Sequence, residues 1–244
     1  MQYEDLALVY DPLMAEVDRG AWAEYLRGFL PAGGAILECA CGTGEMSLRL
    51  AKMGFSVTAT DSSEEMLGVA SRKQRESGLA GARLRFVKMD MRELSLHKKA
   101  DAVIACCDGV NYLLSRADAK RFFASANTVL KEGGLLLFDV SSRHKLQNVL
   151  GNNAFVENGE DIAYLWQNSY DPETKLIRME LSFFKREGGL YRRFDETHIQ
   201  RAHSVRELGS WLEEAGFSWE AYGFLKREAP AEDEERIQFI ARKK

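Results

Sequence analysis

The sequence predicts a doubly wound α/β fold, with a mostly parallel seven-stranded sheet, an inserted antiparallel β-meander and an N-terminal helical lid. Three observations carry this. Short apolar runs alternate with amphipathic stretches from Pro31 to about Val140, a pattern that joins parallel strands by right-handed crossovers with helices on both faces. A glycine-containing turn, Cys41-Gly42-Thr43-Gly44, leaves the first apolar run and enters a helical pattern. From about Ala163 to His203 no helical period appears and strand-like runs dominate.

In chain order, residues 3–14 and 21–30 place apolar residues at helical spacing and form the lid. Ala35-Ile36-Leu37-Glu38-Cys39 is the first strand, followed by a helix carrying Met46, Leu48, Leu50 and Ala51. Residues 56–60 form the second strand. Residues 63–77 form a helix with a capping-box-like start at Ser62-Ser63-Glu64-Glu65 and Gly78 just past its end. Residues 84–88, 101–105 and 135–140 complete five strands, with a helix from 118 to about 130 before the last. Residues 163–170, 175–184 and 191–201 read as a three-stranded meander. Asp171-Pro172-Glu173-Thr174 and Glu187-Gly188-Gly189 supply its turns. A helix at 204–215, stopped by Gly216, precedes two runs, 217–225 and 236–241, that pair as a closing hairpin on the sheet edge. Residues 1–142 and 203–244 are therefore expected to form the core and lid, and 143–202 an insertion that covers the substrate.

A chain of 244 residues is long enough for a sizeable buried core, and 45% hydrophobic with 29% charged residues and four prolines is neither disordered nor fibrous. Lys and Arg total 33 against 37 Asp and Glu, a net charge of -4, which gives no global field for nucleic acid or an anionic membrane. No run of ~18 apolar residues occurs, and the opening Met1-Gln2-Tyr3-Glu4-Asp5 is acidic where a signal peptide is basic, so a cytoplasmic protein with no membrane partner is expected. Cys39-x-Cys41 and Cys106-Cys107 sit at strand ends and read as reduced core residues, with neither disulfide nor metal-ligand spacing.

The turn after the first strand carries the chemistry. Gly42 and Gly44 let backbone approach a ligand at the carboxyl end of the sheet. A nicotinamide site would need G-x-G-x-x-G, but the third position is Ser47 and the acid, Glu38, precedes the loop. Asp61 ends the second strand, 17 residues beyond Gly44, where a carboxylate can accept hydrogen bonds from both hydroxyls of a ribose. Asp90-Met91 ends the third.

Glu38-x-Ala40-x-Gly42-x-Gly44 resembles motif I of the class I S-adenosylmethionine (SAM) methyltransferases. The opening Tyr3-Glu4-Asp5-Leu6-Ala7, Val9-Tyr10-Asp11-Pro12-Leu13-Met14, the run Ala105-Cys106-Cys107-Asp108-Gly109-Val110-Asn111-Tyr112-Leu113 and Arg193-Phe194-Asp195-Glu196-Thr197-His198 resemble the bacterial YqeM-type subgroup over nearly the whole chain. The order of elements is also similar to glycine and sugar-amine N-methyltransferases. The resemblance implies a Rossmann-like SAM methyltransferase fold and SAM as cofactor, with S-adenosylhomocysteine as its product. It implies a cofactor site drawn from Tyr10, Glu38, Cys39, Ala40, Gly42, Gly44, Asp61, Ser62, Met66, Asp90, Met91 and Cys106. It also implies that Asp90 meets the adenine amine, that Met91 covers the ring, and that Tyr3 and Tyr10 are lid aromatics near the methionine end.

Methyl transfer is an in-line displacement that alignment and water exclusion can carry, and a nearby base helps a nucleophile that must shed a proton. Asp108 and Tyr112, after the fourth strand, and His198, on the insertion, are the catalytic candidates. Strand alternation puts Phe194, Glu196 and His198 on one face. His97, His144 and His203 are weaker candidates, and Trp166 and Phe194 either wall an acceptor pocket or pack the insertion. The acceptor is expected to be a small molecule with a nitrogen or oxygen nucleophile, handled by a monomer or homodimer. DNA is disfavoured because no Asn-Pro-Pro-Tyr-like segment follows the fourth strand. The basic clusters Arg72-Lys73-x-Arg75 and Arg192-Arg193 are small for RNA. An RNA-modifying methyltransferase and a non-catalytic SAM-binding regulator are the alternatives.

Overall fold

A computed structural model of the chain describes residues 6–79 and 83–244. β1 (Ala35–Cys39), β2 (Ser56–Asp61), β3 (Leu84–Lys88), β4 (Ala100–Ala105) and β5 (Leu130–Ser141) pair in parallel in the order β3-β2-β1-β4-β5. The next four strands, β6 (Ala154–Asn158), β7 (Ile162–Asp171), β8 (Leu176–Glu187) and β9 (Leu190–Arg201), form a separate antiparallel sheet in sequence order. The chain then returns, and β10 (Phe217–Gly223) and β11 (Arg236–Lys243) close the first sheet to seven strands, β11 antiparallel to β5.

Period-two alternation decides which core each residue joins. Leu37 and Cys39 of β1, Val103 and Ala105 of β4, and Leu136, Phe138 and Val140 of β5 pack toward α5 (Arg116–Val129) and α6 (Val205–Glu214). Their neighbours Ile36, Ala102, Ile104, Leu135 and Leu137 pack on the other side, against α2 (Arg19–Arg27), α3 (Glu45–Lys52) and α4 (Glu64–Glu76). Helix ends follow their caps: Ser63, Ser115 and Ser204 each accept a hydrogen bond from the third residue beyond, and only Ser204 forms a full capping box, with Glu207.

Three expectations change. The meander has a fourth strand, β6, and Lys145–Leu150 before it is a π-helical turn. The described part of the lid is two short pieces, a 3₁₀ turn at Leu6–Leu8 and α1 (Tyr10–Leu13), and α2 begins at Arg19 because the Asp18 side chain accepts from Ala21 N at 2.9 Å. β5 begins at Leu130, directly from α5. The lid and the second sheet share a core, with Leu6 and Val9 packed against Phe183 and Phe194. Among the described residues no helix is long and apolar enough to cross a membrane.

Candidate active site

β1, β2 and β4 end side by side, and the chain leaves β1 and β4 in left-handed backbone. After β1, Ala40, Gly42 and Gly44 have φ of 51°, 53° and 77°; after β4, Cys107 and Asp108 have 59° and 53°. Three of these are not glycine, and such conformations persist only where surrounding contacts enforce them. They open a cleft of about 720 Å³. It brings together Tyr10, Ala40, Gly42, Asp61, Ser62, Met66, Asp90, Met91 and Tyr112 of the sequence-nominated residues, and adds Met89, Arg92 and, from β9, Asp195, Glu196, Thr197 and Ile199. A narrower cavity of about 40 Å³ continues under Tyr10, walled by Arg19, Glu38, Cys41, Thr43 and Cys106.

Cys39 and Gly44 line neither cavity. Cys39 points with Leu37 to the opposite side of β1, and at Gly44 an added Cβ would lie 2.7 Å from Phe86 Cζ. At Gly42 nothing lies within 4 Å of that position. Of the two glycines, Gly42 faces open space and Gly44 permits close packing of α3 on β3 and α4.

Asp61 is fixed by backbone: Gly42 N donates to Oδ2 at 2.8 Å and Ser63 N to Oδ1 at 2.9 Å. Burial raises its pKa, and those amides oppose the rise. Each oxygen keeps a second lone pair for a further donor. Glu38 is buried, takes the Ser47 hydroxyl on Oε2, and is pushed up to about 8 by desolvation. Asp90 is held below the usual carboxylate range chiefly by Arg92, whose Nε lies 3.0 Å from both its oxygens; Arg92 also reaches Asp118 at 3.0 Å.

Asp108 and His198 sit behind the cleft wall. Asp108 Oδ1 accepts from Arg236 Nη2 at 2.9 Å and Oδ2 from Gln200 Nε2 at 2.7 Å. Burial disfavours its charge, but Arg236 and Gln200 outweigh that and lower its pKa. His198 Nδ1 lies 3.2 Å from the Tyr112 hydroxyl. Burial pushes the imidazole down to about 4, with Asp108 opposing. At neutral pH the ring is therefore uncharged, and with Nε2 carrying the proton, Nδ1 accepts from Tyr112. As the strand alternation predicts, Phe194, Glu196 and His198 share a buried face.

The other nominated residues have structural surroundings. His203 lies inside the core, where its Nε2–H donates to Leu113 O at 3.0 Å, and His144 Nδ1 is 3.2 Å from Asn148 Nδ2. His97 is exposed. Trp166 and Phe194 pack the second sheet and do not line the cleft. Tyr3 lies outside the described residues.

Sequence reasoning missed Arg19, Ser47, Gln200 and Arg236, and also a latch on the lid. Lys73 Nζ lies 2.7 Å from Asp11 Oδ2 and 2.6 Å from Glu45 Oε1, and the Thr43 hydroxyl donates to Asp11 Oδ1 at 2.6 Å. These four charges and polar groups tie α1 and α4 to the turn after β1. No local signal marks them, since Asp11 and Lys73 are 62 residues apart; Ser47, three beyond Gly44 on α3, is the one that helical spacing could have pointed at Glu38.

A family model described as a methyltransferase domain matches residues 36–134. YqeM of Bacillus subtilis (strain 168), named as a methyltransferase, is 40% identical over 246 residues, covering 100% of this chain and 98% of that protein. A crystal structure of a SAM-dependent methyltransferase from Clostridium acetobutylicum ATCC 824 superposes with a TM-score of 0.88 at 31% identity, over 99% of this chain and 98% of that one. A glycine/sarcosine N-methyltransferase of Halorhodospira halochloris is 35% identical over 106 residues, 43% of this chain and 38% of that protein.

Proposed function

The chain belongs to the YqeM-type family of SAM-dependent methyltransferases, and from that premise we propose that it methylates the nitrogen of a small-molecule amine. Bound SAM supplies an electrophilic methyl group on a positively charged sulfur. The described residues fit such a group. Asp61 is a braced carboxylate with lone pairs to spare for ribose hydroxyls, Gly42 leaves open space beside it, and Met66, Met89 and Met91 offer apolar surface for a purine. Asp90, already held by Arg92, would meet the purine edge, while Ser62 would border the ribose. At the other end Arg19 would hold a carboxylate and Glu38 an ammonium, with Ala40 and Cys106 as walls and Tyr10 as cover. The latch of Asp11, Thr43 and Lys73 would keep that cover closed and exclude water.

The observation that carries the amine reading is the pairing of Tyr112 with a neutral His198. A base near 4 is too weak to take a proton outright from an ammonium of ordinary pKa ~10; the deficit is roughly 8–9 kcal/mol. An alcohol acceptor, more weakly acidic still, gains even less, and a phenol gains no more. A neutral amine needs no deprotonation before attack, only orientation. Tyr112, donating to His198 Nδ1, would turn an oxygen lone pair to the amine's N–H and aim the nitrogen at the methyl. Asp108, with both oxygens engaged, would act as an anchor for the pair.

Charge supports the same acceptor class. Among the described residues the cleft walls carry Asp61, Asp90, Asp195 and Glu196 against one cation, Arg92, which disfavours phosphate-bearing RNA and anionic acceptors. Residues 143–202 would cover the acceptor through β9. Calorimetry should give micromolar binding of SAM and S-adenosylhomocysteine, about -8 kcal/mol. Methyl-labelled SAM should then label small amines, amino sugars among them, in preference to alcohols, phenols or RNA. Labelling of alcohols or RNA with none of any amine overturns the acceptor assignment.

Glu38 gives a pH signature. Because burial raises its folded-state pKa, it favours the folded protein fully only below the ordinary carboxylate range and loses that contribution as pH rises through about 8. Beside a cofactor ammonium it would ionise. Binding at pH 7 should therefore release most of a proton, and affinity should rise with pH up to about 8. Calorimetry in buffers of different ionisation heat reads this; a buffer-independent heat, or the same release in Glu38→Gln, contradicts it.

A further inference from the structure

Arg236 opens β11 beside the carboxyl end of β5, opposite Ser141. Its guanidinium is enclosed: Nη1 contacts Asp139, Nη2 reaches Asp108 at 2.9 Å, and Cζ lies 5.5 Å from the centre of the Trp22 ring and 5.7 Å from that of Phe224. Asp139 Oδ2 also accepts Asp108 N at 3.0 Å, while its Oδ1 has no hydrogen-bond partner among the described residues. Enclosing two carboxylates and one guanidinium costs desolvation, and apolar replacements of such clusters are often no less stable. Stability alone is a weak reason for it.

The cluster's reach gives a stronger one. Asp108 begins the 3₁₀ turn Gly109–Tyr112 in left-handed backbone. Its Oδ2 accepts from Gln200, which lies two residues beyond His198 on β9, so that both side chains leave the same strand face. One carboxylate thus ties the turn that carries Tyr112 to the strand that carries His198. Asn111 makes a parallel tie, donating to Ser141 O at 3.0 Å and Arg201 O at 2.9 Å. Neither Asp108, Asp139 nor Arg236 lines the cleft.

We infer that Arg236 is a positioning residue of the methyl transfer: it holds the Asp108 carboxylate in place and, through Asp108 and Gln200, sets the Tyr112–His198 contact. This rests on the reading of Tyr112 and His198 as the pair that orients the acceptor. Groups facing His198 among the described residues include Tyr112 and Asp108 from the turn after β4, Glu196 on its own strand face and Met179 across β8. Lys145 adds a positive charge near Asp108.

The test needs no acceptor. Full-length protein with ¹⁵N-labelled histidine is titrated by NMR, and His198 is identified by its loss in His198→Asn. The wild-type ring is expected to stay neutral down to about pH 4, with Nδ1 an unprotonated acceptor that Tyr112→Phe perturbs. In Arg236→Met the Asp108 charge is uncovered and water enters; both favour the imidazolium, so the midpoint should rise by about one pH unit or more. Arg236→Met leaves two buried carboxylates without their counter-ion. Should it not fold, Gln200→Leu, which cuts the tie and strands no charge, should move the Nδ1 signal and raise the midpoint. Arg236→Lys, which keeps the charge and loses the fork, should restore only part of the wild-type behaviour. If wild-type His198 titrates near its ordinary 6.5 and ignores Tyr112→Phe, the orienting pair fails and the inference falls with it. If the pair behaves as expected while Gln200→Leu and Arg236→Lys leave midpoint and Nδ1 signal unchanged, Arg236 serves the fold only and the inference alone is overturned.

Discussion

Asp61→Ala is expected to weaken S-adenosylhomocysteine binding about 100-fold, close to 3 kcal/mol, with little loss of thermal stability in the free protein. Two hydrogen bonds from ribose hydroxyls to a charged, half-enclosed acceptor account for that magnitude, at roughly 1.5–3 kcal/mol each before the cost of desolvation. Stability should hold for the opposite reason. Burial raises the Asp61 pKa in the folded chain, so its charge is a folding cost, and removing it offsets the loss of its bonds to Gly42 N and Ser63 N. Asp61→Asn, which keeps one acceptor and no charge, should fall between. Calorimetry beside a thermal melt separates the two effects; an affinity unchanged in Asp61→Ala removes the residue from the ribose role.

The two glycines of the same turn should respond in opposite ways. Gly44→Ala brings a Cβ to 2.7 Å from Phe86 Cζ and 3.0 Å from Ala70 Cβ, at a φ of 77°. Left-handed backbone costs about 1–2 kcal/mol for a residue with a Cβ, and overpacking typically adds 1–3 kcal/mol. A destabilisation of roughly 2–5 kcal/mol, read by urea unfolding, is expected. Gly42→Ala meets nothing within 4 Å. It carries the backbone cost alone, and its larger effect should be on cofactor affinity, because its methyl would enter the cleft. Equal urea midpoints for the two variants would mean that Gly44 does not mediate the packing of α3.

The parts of this molecule that depend on local pattern were legible in the sequence. The alternation of apolar runs and amphipathic stretches gave the parallel strands, because each β-α unit encodes its own period and caps. The acids at the ends of β1, β2 and β3 were legible because strand ends converge on one edge whatever the packing. β6 was not, since an exposed edge strand has no buried face to impose alternation: in Ala154-Phe155-Val156-Glu157-Asn158 only Phe155 is even partly buried. The lid was legible as two helical stretches, 3–14 and 21–30, but apolar spacing does not show where a chain must bend to reach a second core, so the first breaks into a 3₁₀ turn and α1.

The same division runs through the site. Asp108 was visible as an acid after a strand, but whether its carboxylate faces solvent, substrate or a guanidinium depends on Arg236, 128 residues away. Tyr112 and His198 were each nominated alone, and only the packing of β9 onto the turn after β4 brings them within 3.2 Å. Lys73 sits in a basic cluster of its own helix, and nothing local marks Asp11 and Glu45, its partners on other elements.

A crystal structure with S-adenosylhomocysteine tests the central claim most directly. It should show the ribose hydroxyls on Asp61, the amino-acid end in the narrow space between Arg19 and Glu38, and the sulfur turned toward Tyr112. Ligand bound away from the ends of β1 and β2, or lying in the cleft with its sulfur turned from Tyr112, would contradict it.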